Sequence, residues 1–150
     1  HNVLINSNFN CGFYINRDTL FHILRNTYNI ESSYDPCSYP GIKCKFYFNN
    51  ARGFEDESIQ VGTIDEEDRN MKVYELIDSK KYTEVSFMIF RTGSVLIIGN
   101  CSEEVLLFIY EFIRDVLQSS YSSIVVHEDK TPVKVKTTKI RKKMINKQVL

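Results

Sequence analysis

The sequence predicts an α+β domain: an antiparallel sheet with two helices packed on one of its faces. Three observations carry this reading. The periodic segments follow the order strand, helix, three strands, helix, which suits helices gathered on one side of an antiparallel sheet. The stretch SFMIFRTGSVLIIGN, residues 86–100, reads as two strands around a tight turn at Arg91-Thr92-Gly93-Ser94. The stretch SEEVLLFIYEFIRDVL, from Ser102, is the clearest helix in the chain. Its 150 residues allow one domain with a sizeable core and additional segments.

The elements follow in order. Residues 2–16 read as a strand, with Ile5, Phe9, Cys11, Phe13 and Ile15 on one parity and Asn6, Asn8 and Asn10 on the other. A face of asparagines is unusual, because Asn is depleted in strands. Residues 17–28 read as a helix capped by Asn16, with Leu20, Ile23, Leu24 and Tyr28 as its apolar stripe. Two prolines and Gly41 mark a turn-rich link into a strand over residues 42–48. Residues 49–82 read as a polar, acidic insertion with partial order through Met71 to Ile77. After the hairpin, Ser102 caps the second helix, and Glu103 and Glu104 suit the positive end of its dipole. Leu106, Ile109, Ile113, Val116 and Leu117 form its buried side. Ser119 to Ser123 end the helix, and Ile124 to His127 allow a short strand. The domain thus spans residues 1–127, and 128–150 form a basic, flexible tail.

The hairpin lacks the simple alternation of a half-buried strand. Its residues separate into two apolar sets. Phe87, Ile89, Val95 and Ile97 face the helices; Met88, Phe90, Leu96 and Ile98 fall on the other face. Two helices cover one face only, so the second set forms an open apolar patch, the mark of an interaction site.

Net charge is zero, but its distribution is uneven. Glu55, Asp56, Glu57, Asp65, Glu66, Glu67 and Asp68 make the middle acidic, while no acid follows Asp129 in a lysine-rich end. A basic end can touch nucleic acid or an acidic partner, or lie solvated. The four cysteines Cys11, Cys37, Cys44 and Cys101 lack zinc-site spacing and read as reduced thiols of an intracellular protein. The chain contains no apolar run long enough for a membrane span, so no membrane partner is expected. A start at His1 fits a piece of a longer protein. His1, His22 and His127 are scattered, and neither a phosphate loop nor a nucleophile elbow occurs. The sequence therefore predicts a protein that is not an enzyme and needs no cofactor or metal.

Two motifs then carry a resemblance. IFRTGSVLIIGNCSEE, residues 89–104, resembles the F-x-S-G-x-(I/V)-V-x-T-G-A stretch before the second helix of a TATA-binding-protein repeat. SSYDPCSYPGIKCKF, residues 32–46, is similar to that family's Tyr-(Glu/Asn)-Pro element and the Pro-Gly turn that follows it. The resemblance covers about residues 3–50 and 83–118. With its long insertion, it looks like the divergent single-repeat type of large DNA viruses. It implies a curved sheet whose concave face binds A·T-rich duplex DNA in the minor groove, with aromatic wedges at both ends of the bent site. Residue by residue, it implies wedges at Tyr39 and Phe90 and groove-floor contacts at Met88, Leu96 and Ile98. It further implies groove-reading asparagines at Asn6 or Asn8 and phosphate contacts at Lys45 and Arg91. Lys43, alternating with Lys45 beside the patch, fits either a solvated face or a DNA contact. The pattern departs at Tyr39 (Phe in the family), at Ile98 (a small hydroxyl residue) and at Ser94 (a basic residue).

The resemblance implies a transcription-initiation factor acting with transcription factors or RNA polymerase, in the host nucleus or a viral factory, or packaged in the virion. A saddle needs a second repeat in a longer chain or a homodimer partner, because a lone repeat exposes a strand edge. Alternative readings are an interaction module recruiting transcription machinery without sequence-specific DNA binding, and an accessory domain of a DNA-processing enzyme.

Overall fold

The structure is a computed structural model that describes residues 2–54 and 60–127, with the backbone of 141–144. Its main sheet has six strands in the order β3-β4-β5-β6-β1-β8. These are β1 (Val3–Asn10), β3 (Glu31–Ser33), β4 (Ile42–Asn49), β5 (Tyr82–Ile89), β6 (Ser94–Cys101) and β8 (Arg141–Met144), and every neighbouring pair is antiparallel. A small second sheet pairs β2 (Tyr14–Ile15) with β7 (Val125–Val126). The helices are α1 (Arg17–Asn26), α2 (Val73–Asp78), α3 (Glu103–Ser119) and α4 (Tyr121–Ile124). The α+β architecture with an antiparallel sheet is the one the sequence predicts.

Both long helices start where their caps place them. The Asn16 side chain accepts a hydrogen bond from the Thr19 amide at 3.2 Å, and Ser102 Oγ accepts one from Val105 at 3.3 Å. Each satisfies a backbone donor that has no partner within the helix. Leu20 and Leu24 of α1 and Leu106, Ile109, Ile113 and Val116 of α3 bury against one face of the sheet. That face supplies Ile5 and Phe9, Ile42, Cys44 and Phe46, Val85, Phe87 and Ile89, and Val95 and Ile97. Full burial of such side chains contributes about 1.5–3 kcal/mol each. The helix-facing half of the hairpin is therefore core, as its parity predicts.

Three features differ from the sequence expectation. The strand expected over residues 2–16 ends at Asn10, and a turn separates it from β2. The turn-rich link contains β3, whose three residues are too few to show a period of two. The insertion is also better packed than its acidity suggests. Leu76 of α2, with Ile64 and Ile77, packs on Tyr47 and Tyr82, and these two tyrosines lie on the sheet face away from α1 and α3. The insertion therefore roofs one end of the otherwise open face.

Polar contacts lock that roof. Asp68 accepts hydrogen bonds from Lys81 Nζ and Tyr82 OH, both at 2.8 Å, and Tyr82 OH accepts one from the Asp65 amide at 3.0 Å. Lys81 and Tyr82 together hold the Asp68 carboxyl below its ordinary pKa. Burial raises the Tyr82 hydroxyl to about 12. Gln60 closes the loop by accepting from the Asn49 amide and donating to the Asn49 and Gly53 carbonyls.

At the other side of the sheet, the backbone of β8 pairs with β1, from Ile5 opposite Met144 to Asn8 opposite Arg141. The β1 edge thus carries a strand of the same chain. The rest of the predicted basic tail lies outside the described residues. Among the described residues, no helix is long and apolar enough to cross a membrane.

Candidate nucleic-acid interface

Strand register turns scattered sequence positions into rows across the open face. One row runs Lys43, Met88, Leu96, Asn8; the next runs Lys45, Ser86, Ile98, Asn6. Met88, Leu96 and Ile98 form a contiguous, half-buried apolar centre. Lysines of β4 flank it on one side and asparagines of β1 on the other.

The row of Met88 leads to an aromatic pair. The rings of Tyr39 and Phe90 lie 5.9 Å apart at a tilt of 56°. Gly41 makes room for them: a Cβ there would stand 2.9 Å from Phe90 and 3.0 Å from Tyr39. Tyr39 OH donates to Met88 Sδ at 3.4 Å, tying the pair to the patch. The Lys43 ammonium lies 4.5 Å from the centre of the Tyr39 ring, a cation–π contact. Phe90 is fixed by the hairpin turn, where its amide donates to the Ser94 carbonyl and its carbonyl accepts from Gly93. Gly93 has φ of 87°, and a Cβ there would lie 2.4 Å from the Phe13 carbonyl oxygen.

Tyr39 is held by a turn built on Asp35. The Asp35 carboxylate accepts from the Cys37 amide at 3.1 Å and from Ser38 Oγ at 2.6 Å. Its carbonyl accepts from the Ser38 and Tyr39 amides. Ser38 is the main reason the carboxyl sits below its ordinary pKa. Arg17 donates to the Pro40 carbonyl, and Arg17 and Arg91 line one cleft with Phe90. Arg91 also stacks its guanidinium 5.0 Å from the Tyr14 ring. Cations therefore border the aromatic pair on two sides.

The other end of the face has the opposite character. Lys45 lies 3.8 Å from Glu31 and 3.7 Å from Glu84, so two carboxylates bracket its charge. Tyr47 OH donates to Glu31 at 3.2 Å, and burial together with these carboxylates pushes its pKa well above the ordinary value. The roof over Tyr47 adds Asp65, Glu67 and Asp68, whose charges are met by Arg52 and Lys81.

The structure thus brings Tyr39, Met88, Phe90, Leu96, Ile98, Lys45, Asn6 and Asn8 to one face, with Arg91 at its rim. Tyr39 and Phe90 form one pair at one end of the face, because Gly41 lets the two rings meet. Sequence reasoning missed Arg17, Asp35, Glu31 and Glu84. The Asp-Pro-x-Ser spacing of the turn at Asp35 was the one available signal among them. The cysteines are free, and burial raises the thiols of Cys44 and Cys101 to about 12 and about 11.

No protein-family model matches the chain, and no curated protein matches it. Among solved structures, the chain is similar to the Methanococcus jannaschii TBP, with a TM-score of 0.50 and 19% sequence identity. The match covers 94% of this chain and 53% of that one, so this chain spans about half the length of its structural neighbour. At that identity the likeness establishes the fold alone: that of a TATA-binding-protein-like repeat.

Proposed function

We propose that the open face binds A·T-rich duplex DNA in the minor groove, and that the chain is a non-enzymatic transcription-initiation factor of TATA-binding-protein type. The observation that carries this reading is the continuous surface from Ile98 through Leu96 and Met88 to the Tyr39–Phe90 pair. A minor groove of A·T pairs lacks the guanine amino group, so an apolar floor can press against it. An aromatic pair at one end can enter and unstack a base step, bending the duplex onto the sheet. Arg17, Arg91 and Lys43, which border the aromatic pair, would meet phosphates flanking that step, and Asn6 and Asn8 would hydrogen-bond to base edges. In this reading the protein acts where DNA is transcribed, in a host nucleus or viral factory, with polymerase or other transcription factors as partners.

A second reading, an interaction module without sequence-specific DNA binding, draws support from the pairing of Lys45 with Glu31 and Glu84. A mobility-shift titration at low salt separates the two. The DNA reading expects binding of A·T-rich over G·C-rich duplex, weakening steeply with salt. It also expects Phe90→Ala, folded by circular dichroism, to bind at least about tenfold more weakly, or 1.4 kcal/mol. Equal binding by Phe90→Ala removes the wedge assignment.

A further inference from the structure

On the opposite side of the molecule, α3 presents a second apolar surface. Glu104, Leu107, Phe108, Glu111, Phe112 and Asp115 recur at spacings of three and four, so they share one side of the helix. Together with Phe54 and Gln60 they line a groove of about 450 Å³. Its floor is aromatic and backed by the core. Phe54 lies 5.0 Å from Phe48, and Phe108 and Phe112 lie 6.2 and 5.0 Å from Phe46. Phe54 and Leu107 are each 41% exposed. The rim carries Glu104, Glu111 and Asp115; Glu111 is paired with Arg114 beside it, and among the described residues no lysine or arginine lines the groove itself.

We propose that this groove docks a basic amphipathic helix of a partner protein. Charge complementarity selects the partner: apolar side chains would seat on Leu107, Phe108, Phe112 and Phe54, with lysine or arginine facing Glu104 and Asp115. The groove floor is made of side chains and offers no strand edge, which suits a helix laid in a groove over an added strand. The chain's own basic end is the weaker occupant. Its strand β8 lies beside β1, across β5 and β6 from the β4 residues Phe46 and Phe48 that back the groove.

The inference is independent of the DNA reading, and so is its test. The probe is a short fluorescent Leu/Lys amphipathic helical peptide, with its Leu/Glu counterpart as control, titrated by anisotropy against the full chain. The expected result is binding of the Leu/Lys peptide only. Glu104→Lys combined with Asp115→Lys, and separately Leu107→Glu, should each weaken it at least about tenfold. These positions are exposed, so the fold should persist. Phe90→Ala should bind the peptide like the parent. Equal affinity in the groove variants, equal binding of the Leu/Glu peptide, or binding that appears only after residues 128–150 are removed would overturn the proposal. The last outcome would make the chain's own basic segment the occupant.

Discussion

The two ends of the open sheet face are made from the same strands and do opposite things. At one end Tyr39 and Phe90 stand over Gly41 with Lys43, Arg17 and Arg91 around them, an apolar and cationic surface open to a ligand. At the other, Tyr47 and Tyr82 lie beneath the insertion, and Lys45 is bracketed by Glu31 and Glu84. In the proposed reading, a polyanion would meet a receptive end and a closed, acidic end within one sheet. The difference teaches that open area alone does not define the interface. The charge partner of each lysine decides which part of the face is available.

That contrast can be broken from the receptive end first. A Tyr39→Ala/Phe90→Ala double variant should lose about 100-fold in DNA affinity, near 3 kcal/mol, in a titration that compares it with the folded parent. Gly41→Val should cost about tenfold with both rings still present, because its Cβ would stand 2.9 Å from the Phe90 ring and push the pair apart. Full DNA affinity in Gly41→Val would show that the pairing of the rings is unimportant.

The acidic end offers a gain of function. Glu31→Gln with Glu84→Gln should release Lys45, tighten DNA binding several-fold at low salt and steepen the log–log salt slope by about 0.9, the contribution of one added phosphate contact. An unchanged slope would mean that DNA never reaches Lys45.

The roof should affect stability and spare binding. Tyr82→Phe removes the hydroxyl that bridges Asp65 and Asp68 and should destabilise the fold by about 1–2 kcal/mol in a denaturant titration, with DNA affinity unchanged. The smallest effect is acid sensitivity. Because the Asp68 pKa is lowered on folding, its stabilisation is fully present above the unfolded carboxylate value of about 3.9 and is lost as pH falls through the folded value. Amide exchange in α2 should therefore be steady from neutral pH to about 5, once corrected for intrinsic rates, and rise below about 4.

Much of this face is legible in the sequence, and the reasons are specific. Met88 and Phe87 differ in role because a strand turns successive side chains to opposite faces, so parity alone separates patch from core. The asparagines of β1 are legible for the same reason. The Tyr39–Phe90 pair is not: the residues are far apart in the chain, and their contact depends on the missing side chain of Gly41 and on the turn at Asp35. The neutralisation of Lys45 is hidden as well. Glu31 reads as part of a link and Glu84 as flanking the hairpin, and only the register of β3, β4 and β5 brings both to one lysine. The roof is obscured by composition, because the few apolar residues that seat it, Ile64, Leu76 and Ile77, are scattered among acids.

The central claim is that DNA lies on the open face and is gripped at the Tyr39–Phe90 end. Methyl NMR on the full chain, titrated with an A·T-rich duplex, reads this directly. The claim predicts that the methyls of Met88, Leu96 and Ile98 shift strongly while those of Leu107, Ile113 and Leu117 on α3 stay in place. Shifts confined to α3, with Met88, Leu96 and Ile98 unmoved in the presence of bound duplex, would contradict it.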